Sequence, residues 1–143
     1  MTGNFIASSS LAIQASADRV WSVLTDPQAI KEFMFGTDVV TDWTLGGPIA
    51  WRGIWKGKAY EDKGVILEFE PGRRLVNTHF SPLSGQDDEP GNYHTLTWTL
   101  EPEGGVTKLT LTQDNNASAD EAAHSKGMWD SLVASVKNIA ERN

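Results

Sequence analysis

The sequence predicts an α+β domain: a curved antiparallel sheet of about seven strands wrapped on one long C-terminal helix, with two short helices after the first strand. Three observations carry that prediction. Between Thr37 and Gln113 short apolar runs alternate with Gly and Pro turns, the pattern of consecutive antiparallel strands. From Ala119 to about Arg142 the apolar residues recur instead at helical spacing along one stripe. Between them in kind, Val20 to Pro27 reads as a short helix that stops at Asp26-Pro27 and restarts at once. A chain of 143 residues has the size of one domain, and residues 1–143 are read as one.

Each element has its own signal. Phe5 to Ala15 is rich in strand-tolerant residues. Ser16 is placed as an N-cap, with Asp18 in the first turn where the helix dipole favours an anion. Val20, Trp21 and Leu24 form the apolar face of the first helix, which puts Trp21 in the core. Asp26 then caps the second helix, with Pro27 in its first position, and that helix ends near Phe33. Thr37 to Trp43 is a strand, followed by the turn Leu45-Gly46-Gly47-Pro48. Ile49, Trp51 and Trp55 share a parity, and so a sheet face; Val65, Leu67 and Phe69 are expected to do the same. After Pro71-Gly72, Arg74 to Phe80 is a strand whose inward face is ambiguous. Val76, Thr78 and Phe80 are the more apolar set, while Leu75, Asn77 and His79 are the other. Ser81 to Asn92 is an acidic loop. Leu96, Trp98 and Leu100 alternate with Thr95, Thr97 and Thr99, a half-buried strand. Glu103-Gly104-Gly105 turns the chain toward Leu109 and Leu111. Ser118 and Glu121 then make a capping box, and Met128, Trp129, Leu132, Val136, Ile139 and Ala140 line one side of a helix about 36 Å long.

Composition excludes several classes of function. The formal charge is −7, from 12 basic and 19 acidic side chains, which disfavours nucleic acid and anionic membrane surfaces as partners. With no cysteine there is no disulfide framework and no thiolate chemistry. Neither a signal peptide nor an apolar run of the roughly 20 residues needed to span a bilayer is read from the chain, so a cytoplasmic protein is the expectation. The histidines, His79, His94 and His124, lack metal-ligand spacing, and no metal or cofactor is expected. No nucleophile elbow, phosphate loop or dinucleotide motif is present, so no catalytic residue is assigned.

An ordered set of motifs resembles a known family. It comprises V-W-x-x-L-T-D-P at Val20 to Pro27 and an aromatic at Phe33. W-x-x-G-G-x-I-x-W follows at Trp43 to Trp51, then Gly64 to Pro71 leading to Arg74-Leu75-Val76. Leu100 to Gly105 runs into Thr107 to Thr112, and the closing helix carries His124 and Gly127-Met128-Trp129. The set is similar to the helix-grip fold of the START and birch-pollen-allergen (SRPBCC) superfamily, and to the branch named for the activator of the heat-shock-protein-90 ATPase. Gln113 stands where that family often has His, and Met128 follows Gly127 where the family often has Trp. The resemblance implies a cavity between sheet and long helix, and it favours Asn77 and His79 as the inward face of their strand.

In that arrangement a ligand-binding set is expected from Phe33, Phe35, Trp51, Trp55, Leu67, Asn77, His79, His94, Trp98, Met128, Trp129 and Leu132. Arg52 is a further inward polar candidate. For the tryptophans the sequence leaves pocket lining and dry core open, since aromatics serve both. Three functions stand: capture of a small hydrophobic or aromatic molecule, a cyclase or hydratase acting on a polyketide-like substrate, and a chaperone-interaction module. The oligomeric state is left as monomer or homodimer.

Overall fold

A computed structural model describes residues 5–82 and 85–142. In chain order it holds β1 (Phe5–Ile13), α1 (Ala17–Thr25), α2 (Pro27–Phe33), β2 (Asp38–Thr41), β3 (Pro48–Trp55), β4 (Lys58–Glu70), β5 (Arg74–His79), β6 (His94–Glu103), β7 (Val106–Asn116) and α3 (Ala119–Glu141). The strands form one sheet in the order β1-β7-β6-β5-β4-β3-β2, every neighbouring pair antiparallel. Chain order around the sheet is broken only by β1, which closes onto β7.

The helix boundaries follow the caps. Ser16 Oγ accepts from the Arg19 amide at 3.1 Å. Asp26 ends α1 and caps α2, accepting from the Gln28 amide at 3.2 Å, with Pro27 in the first turn where its missing N–H costs nothing. At α3, Ser118 Oγ accepts from the Glu121 amide at 3.0 Å, and Glu121 reaches back to the Ala117 amide at 2.6 Å. The 23 residues of α3 span about 34 Å. Its far end is tied to the short helices. The Arg19 guanidinium donates to the carbonyl oxygens of Ile139, Ala140 and Arg142 at 3.0–3.2 Å, satisfying carbonyls that a helix end leaves open.

Two features of the sheet were not foreseen. The first is that β3 and β4 form a tight hairpin whose two turn residues, Lys56 and Gly57, both have positive φ, as a turn matched to strand twist requires. The strand after it is therefore thirteen residues long, far longer than the Val65 to Phe69 segment that alternation picked out. The second is a bulge in β4. Ile66 pairs with Asn77 and Glu68 with Val76, so Leu67 is the extra residue. The parity expected for Val65, Leu67 and Phe69 is thereby broken. Ile66 is fully buried, Phe69 turns inward after the bulge to meet Trp21 at 5.2 Å, and Val65 and Leu67 face solvent.

The core lies between the sheet and the three helices. Val20, Leu24, Ile30 and Phe33 from the short helices meet Leu75, Leu96, Trp98, Leu109 and Leu111 from the sheet and Leu132, Val136 and Ile139 from α3. Trp21 is buried on the packed side of α1, as its position in the apolar stripe predicts. On β5 the inward face is Leu75, Asn77 and His79. Val76 and Phe80 are buried on the opposite side, Phe80 by stacking on Tyr93 at 5.1 Å. Hydrophobicity alone misleads there because that opposite side is covered too.

Candidate functional site

Toward the N-terminal half of α3 the core opens into a cavity of about 340 Å³. Trp51 of β3, Leu96 of β6, Leu132 and Trp129 of α3, and Met34 form its apolar wall; Phe35 and Met128, 72% and 48% exposed, stand at its mouth. Trp129 is held by its indole N–H, which donates to Gln113 Oε1 at 3.4 Å. Gln113 is 5% exposed, so the residue that stands where the family often has His anchors an aromatic of the wall.

The polar part of the wall comes from β4, β5 and the segment after α2. Register places Tyr60 opposite Gly53 and Asp62 opposite Trp51. A Cβ on Gly53 would fall 2.7 Å from Tyr60 Cζ, so only glycine lets the Tyr60 ring lie across β3. Tyr60 Oη is 2.8 Å from Thr37 Oγ1. His79 Nε2 is 2.9 Å from Asp62 Oδ2, with side chains only 19% and 17% exposed. The imidazole meets the Trp51 ring edge-on at a centroid distance of 5.1 Å. A histidine oriented by a carboxylate beside an aromatic-lined space can orient a ligand or move a proton.

Of the twelve residues expected from sequence, Phe35, Trp51, His79, Met128, Trp129 and Leu132 line this cavity. Phe33, Asn77 and Trp98 lie deeper, around a void of about 20 Å³ that is too small for a ligand, and Trp98 packs edge-on against Phe33 at 6.3 Å. Leu67 does not reach the cavity: it is the extra residue of the β4 bulge, next to the inward Ile66, and is 48% exposed. His94 is drawn elsewhere, its Nδ1 donating to the Asp114 carbonyl oxygen at 2.8 Å beside a separate polar depression formed with Asn115 and Glu121. Arg52 also faces outward, paired with Glu61 on the solvent side of the hairpin. The side chain of Trp55 lies outside the described residues.

Sequence reasoning missed Met34, Thr37, Tyr60, Asp62, Ser81 and Leu96 as wall residues. One signal for Tyr60 and Asp62 was present. Reading Lys56-Gly57 as a two-residue hairpin turn sets the register, and the register puts both beside the face that carries Trp51. A larger groove along Tyr60, Lys63, Phe80 and Asp88 is more polar and more open than this cavity, and holds a surface network instead. There Lys63 and the Tyr93 hydroxyl donate to Asp88, which lowers its carboxyl pKa and raises those of Lys63 and Tyr93. Among the described residues no three His, Asp or Glu side chains converge as a metal site would require, and no helix is long and apolar enough to cross a membrane.

A seven-stranded antiparallel sheet, a long C-terminal helix and a pair of short helices after the first strand define a helix-grip domain with an internal cavity. The chain belongs to the family described as activator of Hsp90 ATPase homolog 1-like protein, whose model matches residues 14–141. A solution structure of ChR145 from Cytophaga hutchinsonii is similar at 45% identity, covering 99% of this chain and 97% of that one, with a TM-score of 0.86. The Aha1 dimer from Colwellia psychrerythraea shares the fold at 18% identity over 96% of this chain and 97% of that one, TM-score 0.75. CalU16 from Micromonospora echinospora does so at 21% identity over 99% and 87%, TM-score 0.71. No curated protein matches the chain closely enough to count as a relative.

Proposed function

We propose that this protein binds a small, largely apolar or aromatic molecule in the cavity between the sheet and α3. The observation that carries this reading is the cavity itself, about 340 Å³ of space walled by Trp51, Trp129, Leu96 and Leu132 with one polar patch. That is near the lower end of the roughly 300–1,000 Å³ of small-molecule sites, and its lining has their usual composition. Affinity comes from apolar area withdrawn from water, at about 25 cal/mol per Å². The test is a fluorescence titration with a hydrophobic dye. Because Trp51 and Trp129 stand on the wall, a bound aromatic changes their emission. Leu132→Trp, which fills the space, is expected to weaken dye binding about tenfold or more. Emission that never responds, with no dye taken up, refutes the reading.

The His79–Asp62 pair favours a second reading, an enzyme of cyclase or hydratase type acting on a polyketide-like substrate in the same cavity. Its histidine would be the general acid or base. Turnover of such a substrate that persists unchanged after His79→Phe removes it. The dimer of the Colwellia relative supports a homodimer for this chain, and light scattering coupled to size exclusion separates that from a monomer.

A further inference from the structure

The turn at the mouth of the cavity carries a residue that neither the backbone nor the core calls for. Two bonds close the last turn of α2. The Phe35 amide donates to the Glu32 carbonyl oxygen at 3.2 Å, and the Gly36 amide to the Lys31 carbonyl oxygen at 2.6 Å. This pattern puts the first residue past the cap in the left-handed region, where glycine usually stands. Here that residue is Phe35, at φ 56°, and the glycine comes after it, Gly36 at φ 98°. A side chain at such a φ carries a steric cost that glycine escapes. Phe35 offsets little of it by packing, because its ring is 72% exposed and lies outside the hydrophobic core.

The place of the ring gives that strain a use. Met34 before it and Thr37 after it are wall residues, and Met128 of α3, 48% exposed, shares the mouth. The backbone around Phe35 is pinned by the two helix-end amides and by Thr37 Oγ1, which donates to the Met34 carbonyl oxygen at 2.9 Å. The movable part is therefore the ring. Open space surrounds the turn, since a Cβ built on Gly36 would meet no atom within 4 Å. An exposed phenyl ring can bury itself on a molecule that fills the cavity, which withdraws apolar area on both from water. The Met128 thioether gives the ring a soft, polarisable surface to meet there.

We infer, granted the binding reading above, that Phe35 caps the bound ligand: its ring turns over the mouth once the cavity is filled and slows release. The left-handed turn is the part of the fold that holds the ring at the mouth.

Equilibrium and stopped-flow fluorescence with the neutral dye N-phenylnaphthylamine test this on Phe35→Ala and Phe35→Gly. Removing the ring is expected to weaken dye binding about tenfold in both variants, with the loss carried by faster release. Urea unfolding separates capping from a role in the fold. Phe35→Gly should unfold at higher urea than Phe35→Ala, and at no lower urea than the unaltered chain, because only glycine relieves the left-handed backbone. Dye affinity unchanged in both variants overturns the inference and leaves the cavity reading standing, as does a loss carried by slower association. A Phe35→Gly variant that unfolds below the unaltered chain also overturns it, since Phe35 would then be serving the fold. An unaltered chain that takes up no dye overturns both.

Discussion

Replacing Gly64 with alanine should unfasten the sheet beside the site. Gly64 lies where β4 stops pairing with β3 and begins to pair with β5. A Cβ built there falls 1.8 Å from the Thr78 carbonyl oxygen and 2.6 Å from its carbon. These are backbone atoms in a strand paired on both sides, so no rotamer change relieves the overlap. Bringing that contact to the 3.0 Å that real Cβ atoms respect requires the strands to part by about 1.2 Å. Three bonds bridge the strands at this point: the Lys63 and Phe80 amides each donate to the other's carbonyl, at 3.0 and 2.8 Å, and the Val65 amide donates to Thr78 Oγ1 at 2.9 Å. A separation of that size takes all three beyond hydrogen-bonding distance. At about 1 kcal/mol each, Gly64→Ala should cost about 3 kcal/mol. Urea denaturation followed by tryptophan fluorescence measures this. Asp62 and His79 flank the same crossing, so a folded variant should also lose dye affinity. A loss below about 1 kcal/mol would show that the strands part without breaking these bonds, and the reasoning from close approach would fail.

Three further predictions follow from the packing and charge. Arg19→Met should cost about 1–2 kcal/mol and speed amide exchange in the last turn of α3, because three carbonyl partners and a favourable charge at the helix end are lost together. Trp98→Ala, at a site 4% exposed, should cost about 3–5 kcal/mol in chemical denaturation, whereas Phe35→Ala at the mouth should stay within about 0.5 kcal/mol. Asp88 has its carboxyl pKa lowered by Lys63 and Tyr93, so its contribution is present above the free value near 3.9 and fades as pH falls through the lower folded value. Asp88→Asn should therefore flatten the acid limb of a stability-versus-pH profile and leave stability near pH 6 to 7 little dependent on pH through this group.

Much of the site was legible once the fold was. Trp51, Trp129, Leu132 and Met128 announce themselves because apolar residues at strand or helix spacing must face inward, and the widest gap is where the largest ones meet. Leu67 shows the limit of that reasoning. Alternation assumes a constant register, and a single extra residue in β4 separates Phe69, which faces inward after the bulge, from Val65 and Leu67, which face outward with Ile66 inward between them. His94 and Arg52 show another. Both carry polar atoms that satisfy themselves locally, on the Asp114 carbonyl and the Glu61 carboxylate, and those partners sit on neighbouring strands that spacing alone does not pair. Asp62 and Tyr60 were missed for the same reason in reverse, since only the hairpin register brings them beside Trp51.

The sequence by itself determined the order and kind of the elements, their caps at Ser16, Asp26 and Ser118, and the family to which that order belongs. These depend on local chemistry: hydrophobic period, a proline that cannot continue a helix, a side-chain oxygen that can satisfy a free amide. Only the tertiary structure decided that Leu75, Asn77 and His79 face α3, that the β4 bulge reverses a strand's parity, and that Asp62 meets His79 at the wall of a cavity. Those depend on which strands lie side by side and at what register. Such pairings join residues far apart in the chain and are set by the global burial of both sheet faces, which no local pattern encodes.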